Sequence, residues 1–214
     1  MGRKMMKRQA ILRSSTSTVP KHARKSCANK EAQTQVICPT GTLKLSACTN
    51  GMHSLKLETV AVMITSSKKC QEITEKRNGD INADTSRHLK DCVKWLTSFF
   101  KGEPALLSLH RPALCPEIFN HGNFRSKVWC ILEEQVKFGR TVSYGELAEM
   151  CGSPRASQAV GSAMRNNPLS LIVPCHRVIL SSGKSGNYSG GTMNDTKIWL
   201  LDHEKTFKAS DTIH

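Results

Sequence analysis

The chain has 214 residues, enough for one large or two small domains with real cores, but 38% apolar and only 5% aromatic residues imply that part of it is not packed. Lys and Arg number 31 against 17 Asp and Glu, a formal net charge of +14, so the natural partner is a polyanion, with nucleic acid ahead of an acidic membrane surface. Nine Cys, an odd count, and no apolar segment behind the basic N-terminus argue against a secreted disulfide scaffold, and Val60 to Ile64 falls far short of the roughly 18 apolar residues of a spanning helix.

Residues 1–35 hold nine Lys or Arg and one acid, Glu31, among many Ser and Thr, without an apolar period; this predicts a disordered basic arm. Gly2 to Arg8 and Lys21 to Lys25 fit nuclear signals or extra phosphate contacts, while an acid-poor, Ser-rich N-terminus also resembles a mitochondrial presequence. The expected compartment is the nucleus, with cytoplasm or mitochondrion as the alternative. Short alternating segments follow at Gln35 to Ile37, Thr42 to Ser46, Leu55 to Leu57 and Val60 to Ile64, punctuated by Gly41 and Asn50-Gly51, and predict antiparallel hairpins. Ser66 to Arg87 is polar and contains Asn78-Gly79-Asp80, the pattern of a long loop. Leu89, Val93, Leu96 and Phe100 then recur at helical spacing, predicting a helix from about His88 to Phe100 closed by Gly102 and Pro104.

The second half reads as more helical. Phe124, Val128, Ile131, Leu132 and Val136 trace one helical face that ends before Gly139. Ser143 and Glu146 form a capping box opening a short helix through Met150, and Ser153-Pro154 predicts an N-cap with Pro at the first position of the next helix. Two capped helices separated by Cys151-Gly152 fit a helix-turn-helix or an ordinary helical hairpin; the small residues Ala156, Ser157, Ala159, Gly161, Ser162 and Ala163 of the second helix, with Arg155 and Arg165 at its ends, favour a helix that approaches a phosphate backbone closely.

The stretch that looks most like chemistry is Leu171 to Leu180. Apolar flanks predict buried strand-like backbone, and Pro174-Cys175-His176-Arg177 sits in its middle. A thiol beside His176 and Arg177 is expected to have its pKa lowered from the free value of about 8.5, as a nucleophile requires. A buried cysteine is also commonly an inert small hydrophobe. The Gly- and Ser-rich run from Ser181 to Gly191, with one aromatic, suits backbone closing on a flat ligand.

Asn167-Pro168, Pro174 to Val178 and Gly186 to Gly191, in this order and spacing, resemble the O6-alkylguanine-DNA alkyltransferases, also called methylated-DNA–protein-cysteine methyltransferases, from about Cys38 to Glu204. The resemblance implies an α+β chain: arm 1–35, a small antiparallel-sheet domain 36–115, a mainly helical DNA-binding domain 116–207 and a tail 208–214. It implies irreversible, single-turnover transfer of the alkyl group from O6-alkylguanine, and from O4-alkylthymine, in double-stranded DNA to Cys175, by a monomer that uses no catalytic cofactor. The target nucleotide would be flipped out of the duplex. In this correspondence His176 is the base acting through a water, Glu204 orients it, Asn167 ties the recognition helix to the nucleophile segment, and Tyr144 donates to the leaving guanine. Tyr188, Ser189 and Met164 line the guanine pocket, while Arg155, Ala156, Ser157, Gly161 and Arg165 meet DNA in the minor groove.

Two features depart from that pattern. Gln158 stands where the family has an arginine that fills the gap left by the flipped nucleotide. Some eukaryotic members hold a structural zinc, and here Cys48 and His53 match two ligands, Cys115 stands where those members have a histidine, and Cys27 lies near the fourth position; buried reduced thiols are the competing reading. Cys70, Cys92, Cys130 and Cys151 are expected to be structural. The alternative function is a non-catalytic helix-turn-helix regulator in which Cys175 packs or senses redox state.

Overall fold

The computed structural model describes residues 32–60, 82–109, 111–119 and 122–210. Three antiparallel strands open it: β1 (Ala32–Cys38), β2 (Gly41–Cys48) and β3 (Gly51–Val60), in the order β1-β2-β3. Their alternation sends Val36, Leu43, Leu45 and Leu55 into the core, while Gln35 and Glu58 bond on the opposite face. Ala32 to Gln35, assigned by composition to the arm, belong to β1, because the short alternation there is too polar outward to stand out. The hairpins themselves are as predicted; Leu55 to Leu57 lies within β3, and the predicted segment Val60 to Ile64 lies outside the described residues beyond Val60, as does the predicted loop from Ser66 up to residue 81.

The helix α1 (Ala83–Lys101) packs against this sheet. It starts five residues before the predicted His88. Its first turn, Asp84 to Arg87, carries no apolar period, yet Asn82 caps it by accepting the Asp84 amide at 2.9 Å. Gly102 ends it in the left-handed conformation, φ +69°, that glycine adopts without steric cost. Pro104, expected as a stop signal, opens a further short helix, α2 (Pro104–Leu109), as proline can at a first position.

The C-terminal elements are α3 (Phe124–Gln135), β4 (Val142–Ser143), α4 (Tyr144–Met150), α5 (Ser157–Arg165), β5 (Val178–Ile179) and α6 (Asn194–Ser210). The capping box opening α4 is present: Ser143 Oγ accepts the Glu146 amide and Glu146 Oε2 accepts the Ser143 amide. The start of α5 differs from expectation. Ser153 to Ala156 form a turn closed by the Ala156 amide on the Ser153 carbonyl, with Pro154 at its second position, so the helix begins at Ser157. Trp129 of α3 donates to the Ala163 carbonyl at 2.9 Å and holds α5 against α3.

Leu171 to Leu180 is buried as predicted up to Val178, but its upstream flank is not a strand. Leu171 takes φ +69°, and the Ile172, Val173 and Cys175 amides turn back onto Ser170, Leu169 and Val173. Cys175 to Arg177 form a 3-10 turn before β5 pairs in parallel with β4. The C-terminal helix α6 reaches Ser210, three residues past the predicted end of the domain. His203 anchors it to α1 by donating to the Phe99 carbonyl at 2.8 Å while stacking on Trp199. No helix among the described residues is long and apolar enough to cross a membrane.

Two seams join the sheet to the helical half. The Leu55 amide donates to Pro168 and the Leu55 carbonyl accepts the Ser170 amide. The Met52 amide donates to Ala113, and the Met52 carbonyl accepts the Cys115 amide. At the second seam Gly51 has φ +136°, and a Cβ there would lie 2.7 Å from the Ala113 carbonyl oxygen.

Candidate active site

Compact turns, rather than a strand, present Cys175 inside the protein; it is 7% exposed. Asn167 builds those turns. Its Nδ2 donates to the Val173 carbonyl at 2.7 Å and its Oδ1 accepts the Leu169 amide at 2.9 Å, so one side chain spans from the end of α5 to the residue before Pro174. The Tyr188 hydroxyl, brought back by the Gly- and Ser-rich loop, hydrogen-bonds the thiol, and Asn167 does so as well.

The polar relay sits next to the thiol on the same 3-10 turn. His176 is fully buried, and its Nε2 donates to Glu204 Oε1 at 2.8 Å. Its Nδ1 is buried and has no hydrogen-bond partner among the described residues. Since Nε2 carries the proton in this arrangement, Nδ1 presents a lone pair. Arg177 donates through Nε and Nη2 to the Glu204 carboxylate and through Nη1 to the Val136 carbonyl, and the Gly139 amide donates to Glu204 Oε2 at 2.8 Å. Burial works to raise the Glu204 pKa, but His176 and Arg177 outweigh it and bring it to about 2. Burial lowers the His176 pKa despite the carboxylate, so its ring is neutral at pH 7 and Arg177 is the standing cation against Glu204.

One expectation fails here. The cationic pair His176 and Arg177 was to lower the thiol pKa, yet Arg177 is committed to Glu204, His176 is neutral, and burial pushes Cys175 up. Hydrogen bonds from Asn167 and Tyr188, then the charge of Lys197, work against that rise. Neither Arg177 as the anchor of Glu204 nor Lys197 was foreseen in these roles. Lys197 is wholly buried on α6, and its Nζ donates to the Val178 carbonyl at 2.7 Å. A signal was available: Lys197, Leu200 and Glu204 recur at three- and four-residue spacing on one face of a helix.

Tyr144, at the start of α4, is half-buried between the thiol and α5. Burial raises its pKa, the sulfur adds to the rise and Arg165 opposes it, so the phenol keeps its proton. Gly161 of α5 leaves room beside this ring: a Cβ would stand 3.9 Å from Tyr144 Cε1. On α5 itself, Ser157, Gln158 and Arg165 are exposed, Ala156 and Met164 partly so, and Val160 and Ala163 are buried. Arg155 and Ser189 are exposed as well, Ser189 with φ +47°.

The metal expectation falls at the second seam. Cys48, His53 and Cys115 bring one sulfur, one imidazole nitrogen and one sulfur within 4.8 Å of one another, with both thiols buried. Cys48 Sγ accepts the Asn50 amide at 3.2 Å, a bond that favours the thiolate. Zinc–ligand bonds of about 2.0–2.3 Å place tetrahedral donors roughly 3.5–4 Å apart, so the set fits zinc with a closure of ~1 Å. Cys27 lies outside the described residues, as does Cys70. Cys92 and Cys151 are buried, whereas Cys130, expected to be structural, is exposed on the outer face of α3.

The family described as 6-O-methylguanine DNA methyltransferase, DNA binding domain, matches residues 123–206. A methylated-DNA–protein-cysteine methyltransferase of Cricetulus griseus is 39% identical over 166 residues, 78% of either chain. The Homo sapiens protein of the same name is 37% identical over 180 residues, 84% of this chain and 82% of its own. Among solved structures, the Mycobacterium tuberculosis OGT in complex with DNA superposes with a TM-score of 0.58 at 30% identity, covering 81% of this chain and 92% of that one.

Proposed function

The chain belongs to the methylated-DNA–protein-cysteine methyltransferase family, and we propose that Cys175 is the residue on which its reaction ends. The protein binds DNA and repairs it by moving an alkyl group from DNA onto its own cysteine, without a catalytic cofactor. The observation that carries the assignment is the buried thiol beside a histidine whose Nε2 is fixed by Glu204 and whose Nδ1 is left with a lone pair. A packing or redox thiol in a non-catalytic regulator leaves that relay without a purpose, and the named relatives are methyltransferases.

The reaction is a displacement at carbon. The thiol proton passes through a water to His176 Nδ1, the sulfur attacks the alkyl carbon of O6-alkylguanine or O4-alkylthymine, and the carbon–oxygen bond breaks as the carbon–sulfur bond forms. The electron pair leaves on the base, where Tyr144 supplies a proton that the histidine route replaces. Cys175 ends as a neutral thioether, so each molecule turns over once. Glu204 and Asn167 are positioning residues: one orients the imidazole, the other fixes the turn that carries the sulfur. Tyr188, Ser189 and Met164 border the space for the base.

DNA lies along α5. Arg155 and Arg165 reach phosphates, while Ala156, Ser157 and Gly161 allow the helix into a narrow minor groove as the lesion is flipped out and Gln158 enters the gap. Residues 116–207 carry binding and chemistry as a monomer on duplex DNA. Residues 36–115 brace them, with zinc on Cys48, His53, Cys115 and Cys27 as the fastening between the β2–β3 turn and the segment before α3. The basic N-terminus directs the protein to the nucleus.

Intact-mass measurement after mixing with an O6-methylguanine duplex should show one added methyl group, mapped by peptide analysis to Cys175 and absent from Cys175→Ala, which still binds DNA. A methyl group found on another cysteine overturns the assignment.

A further inference from the structure

Cys115 stands where zinc-holding members of the family have a histidine, and the exchange sets a second sulfur beside Cys48. Cysteine and histidine both hold zinc, so the metal is indifferent to it. The redox chemistry is not: a thiol and an imidazole cannot join by oxidation, whereas two thiols can. Here the two sulfurs lie within 4.8 Å of each other, both are thiols, and Cys48 and Cys115 are 1% and 0% exposed.

The backbone around the pair is already fastened. The Met52 amide donates to the Ala113 carbonyl at 2.8 Å, the Cys115 amide donates to the Met52 carbonyl at 3.0 Å, and Cys48 stands opposite Gly51 in the β2–β3 register. Gly51 permits the approach, since a Cβ there would stand 2.7 Å from the Leu114 carbonyl carbon. The cysteines thus sit on adjoining stretches of backbone, across a single glycine. Closing their sulfurs to the roughly 2.05 Å of a disulfide calls chiefly for rotation about the side-chain bonds.

We propose that Cys48 and Cys115 are an oxidative modification site: in the absence of zinc, a peroxide joins them in a disulfide that ties the β2–β3 turn to the 113–115 segment in the metal's place. One thiol reduces hydrogen peroxide to water and becomes a sulfenic acid; the other sulfur attacks it, forming the S–S bond and expelling a second water. The two thiols give up two electrons and their two protons, and the peroxide ends as two waters. With zinc in place both sulfurs are committed as ligands, so oxidation follows its removal.

The inference rests on the zinc reading only for what the bridge replaces; the bridge itself needs the two thiols alone. The full-length chain is treated with hydrogen peroxide with and without EDTA, its remaining thiols are blocked, and it is digested without reductant. The chelated sample should yield a Cys48–Cys115 cross-linked peptide. Its melting temperature should stand about 10 °C above that of the same metal-free chain after reduction with dithiothreitol, because the cross-link closes a long loop in the unfolded chain. Cys115→His, which keeps a metal ligand, should retain zinc and lose the bridge. Cys48 bridged to Cys27 instead, or Cys48 and Cys115 recovered as thiols or as separate sulfur acids, overturns the proposal, and the parent protein alone suffices for that result. Metal analysis of the untreated protein tests the other reading: a bridge without native zinc refutes only the metal, and native zinc without a bridge refutes only the disulfide.

Discussion

Replacing Glu204 with Gln removes the charge that four donors converge on while keeping nearly the same shape. In the parent the carboxylate accepts from His176 Nε2, Arg177 Nε and Nη2, and the Gly139 amide. A glutamine can turn one oxygen to some of them, but its NH2 group must then meet other donors, and Arg177 is left buried without an anion. The carboxyl pKa falls from 4.5 to about 2 on folding, a drop that corresponds to about 3 kcal/mol, in line with the 3–5 kcal/mol typical of breaking a buried pair. For a chain of this size that is about 6–12 °C of melting temperature. A depressed carboxyl pKa contributes stability that is whole above pH ~4.5 and vanishes as pH falls through about 2, so the gap between parent and variant should shrink across that window. Urea denaturation at a series of pH values measures it, and single-turnover methyl transfer should slow roughly a hundredfold at neutral pH because the imidazole loses its orienter. A gap at pH 7 under about 1 kcal/mol, or one that persists unchanged at acid pH, would refute the account of Glu204 as a buried, Arg177-paired anion.

On the proposed flipping of the lesion, Gln158→Arg should accelerate transfer from a duplex lesion at saturating DNA while leaving the rate with free O6-benzylguanine unchanged, because a free base leaves no gap to fill; equal saturated duplex rates would show that glutamine suffices. Asn167→Ala removes the bonds to Val173 and Leu169, and should cost about 2 kcal/mol in chemical denaturation and slow Cys175 alkylation by freeing the turn; parent-like values of both would remove its role. Gly51→Ala drives a methyl group to 2.7 Å from the Ala113 carbonyl, so it should loosen the 113–115 segment, lower the melting temperature and reduce bound zinc in metal analysis. Undiminished stability with full zinc would argue that this seam is plastic.

The parts of the molecule legible in the sequence are those with a local cause. Hairpin alternation, the Ser143 capping box and the Gly102 stop are written within a few residues, and each stands where it was expected. The motif Pro174 to Arg177 located the thiol, and the positions of Tyr144, Asn167 and Glu204 bring their side chains to the same region. What could not be read depends on long-range partners. Arg177 reads as a cation beside a thiol until Glu204, 27 residues later, is seen to claim it. Leu171 reads as strand because its burial is visible and its φ of +69° is not. Lys197 looks like the solvated face of a helix unless Leu200 and Glu204 are noticed on its side. Pro154 carried a genuine helix-start signal, and a competing turn closed by Ser153 and Ala156 won.

The Leu55 seam makes a strand amide into a gauge of the distant thiol. Its N–H is protected from solvent exchange only while Pro168 stays docked, and Pro168 is the residue next to Asn167. Deuterium uptake at Leu55 therefore reports opening of the nucleophile-bearing turns without a probe placed among them. It follows too that substitutions along β3, remote from any reacting atom, can present as losses of chemistry: a strand that shifts carries Pro168 and Ser170 with it, and the sulfur moves because the sheet did.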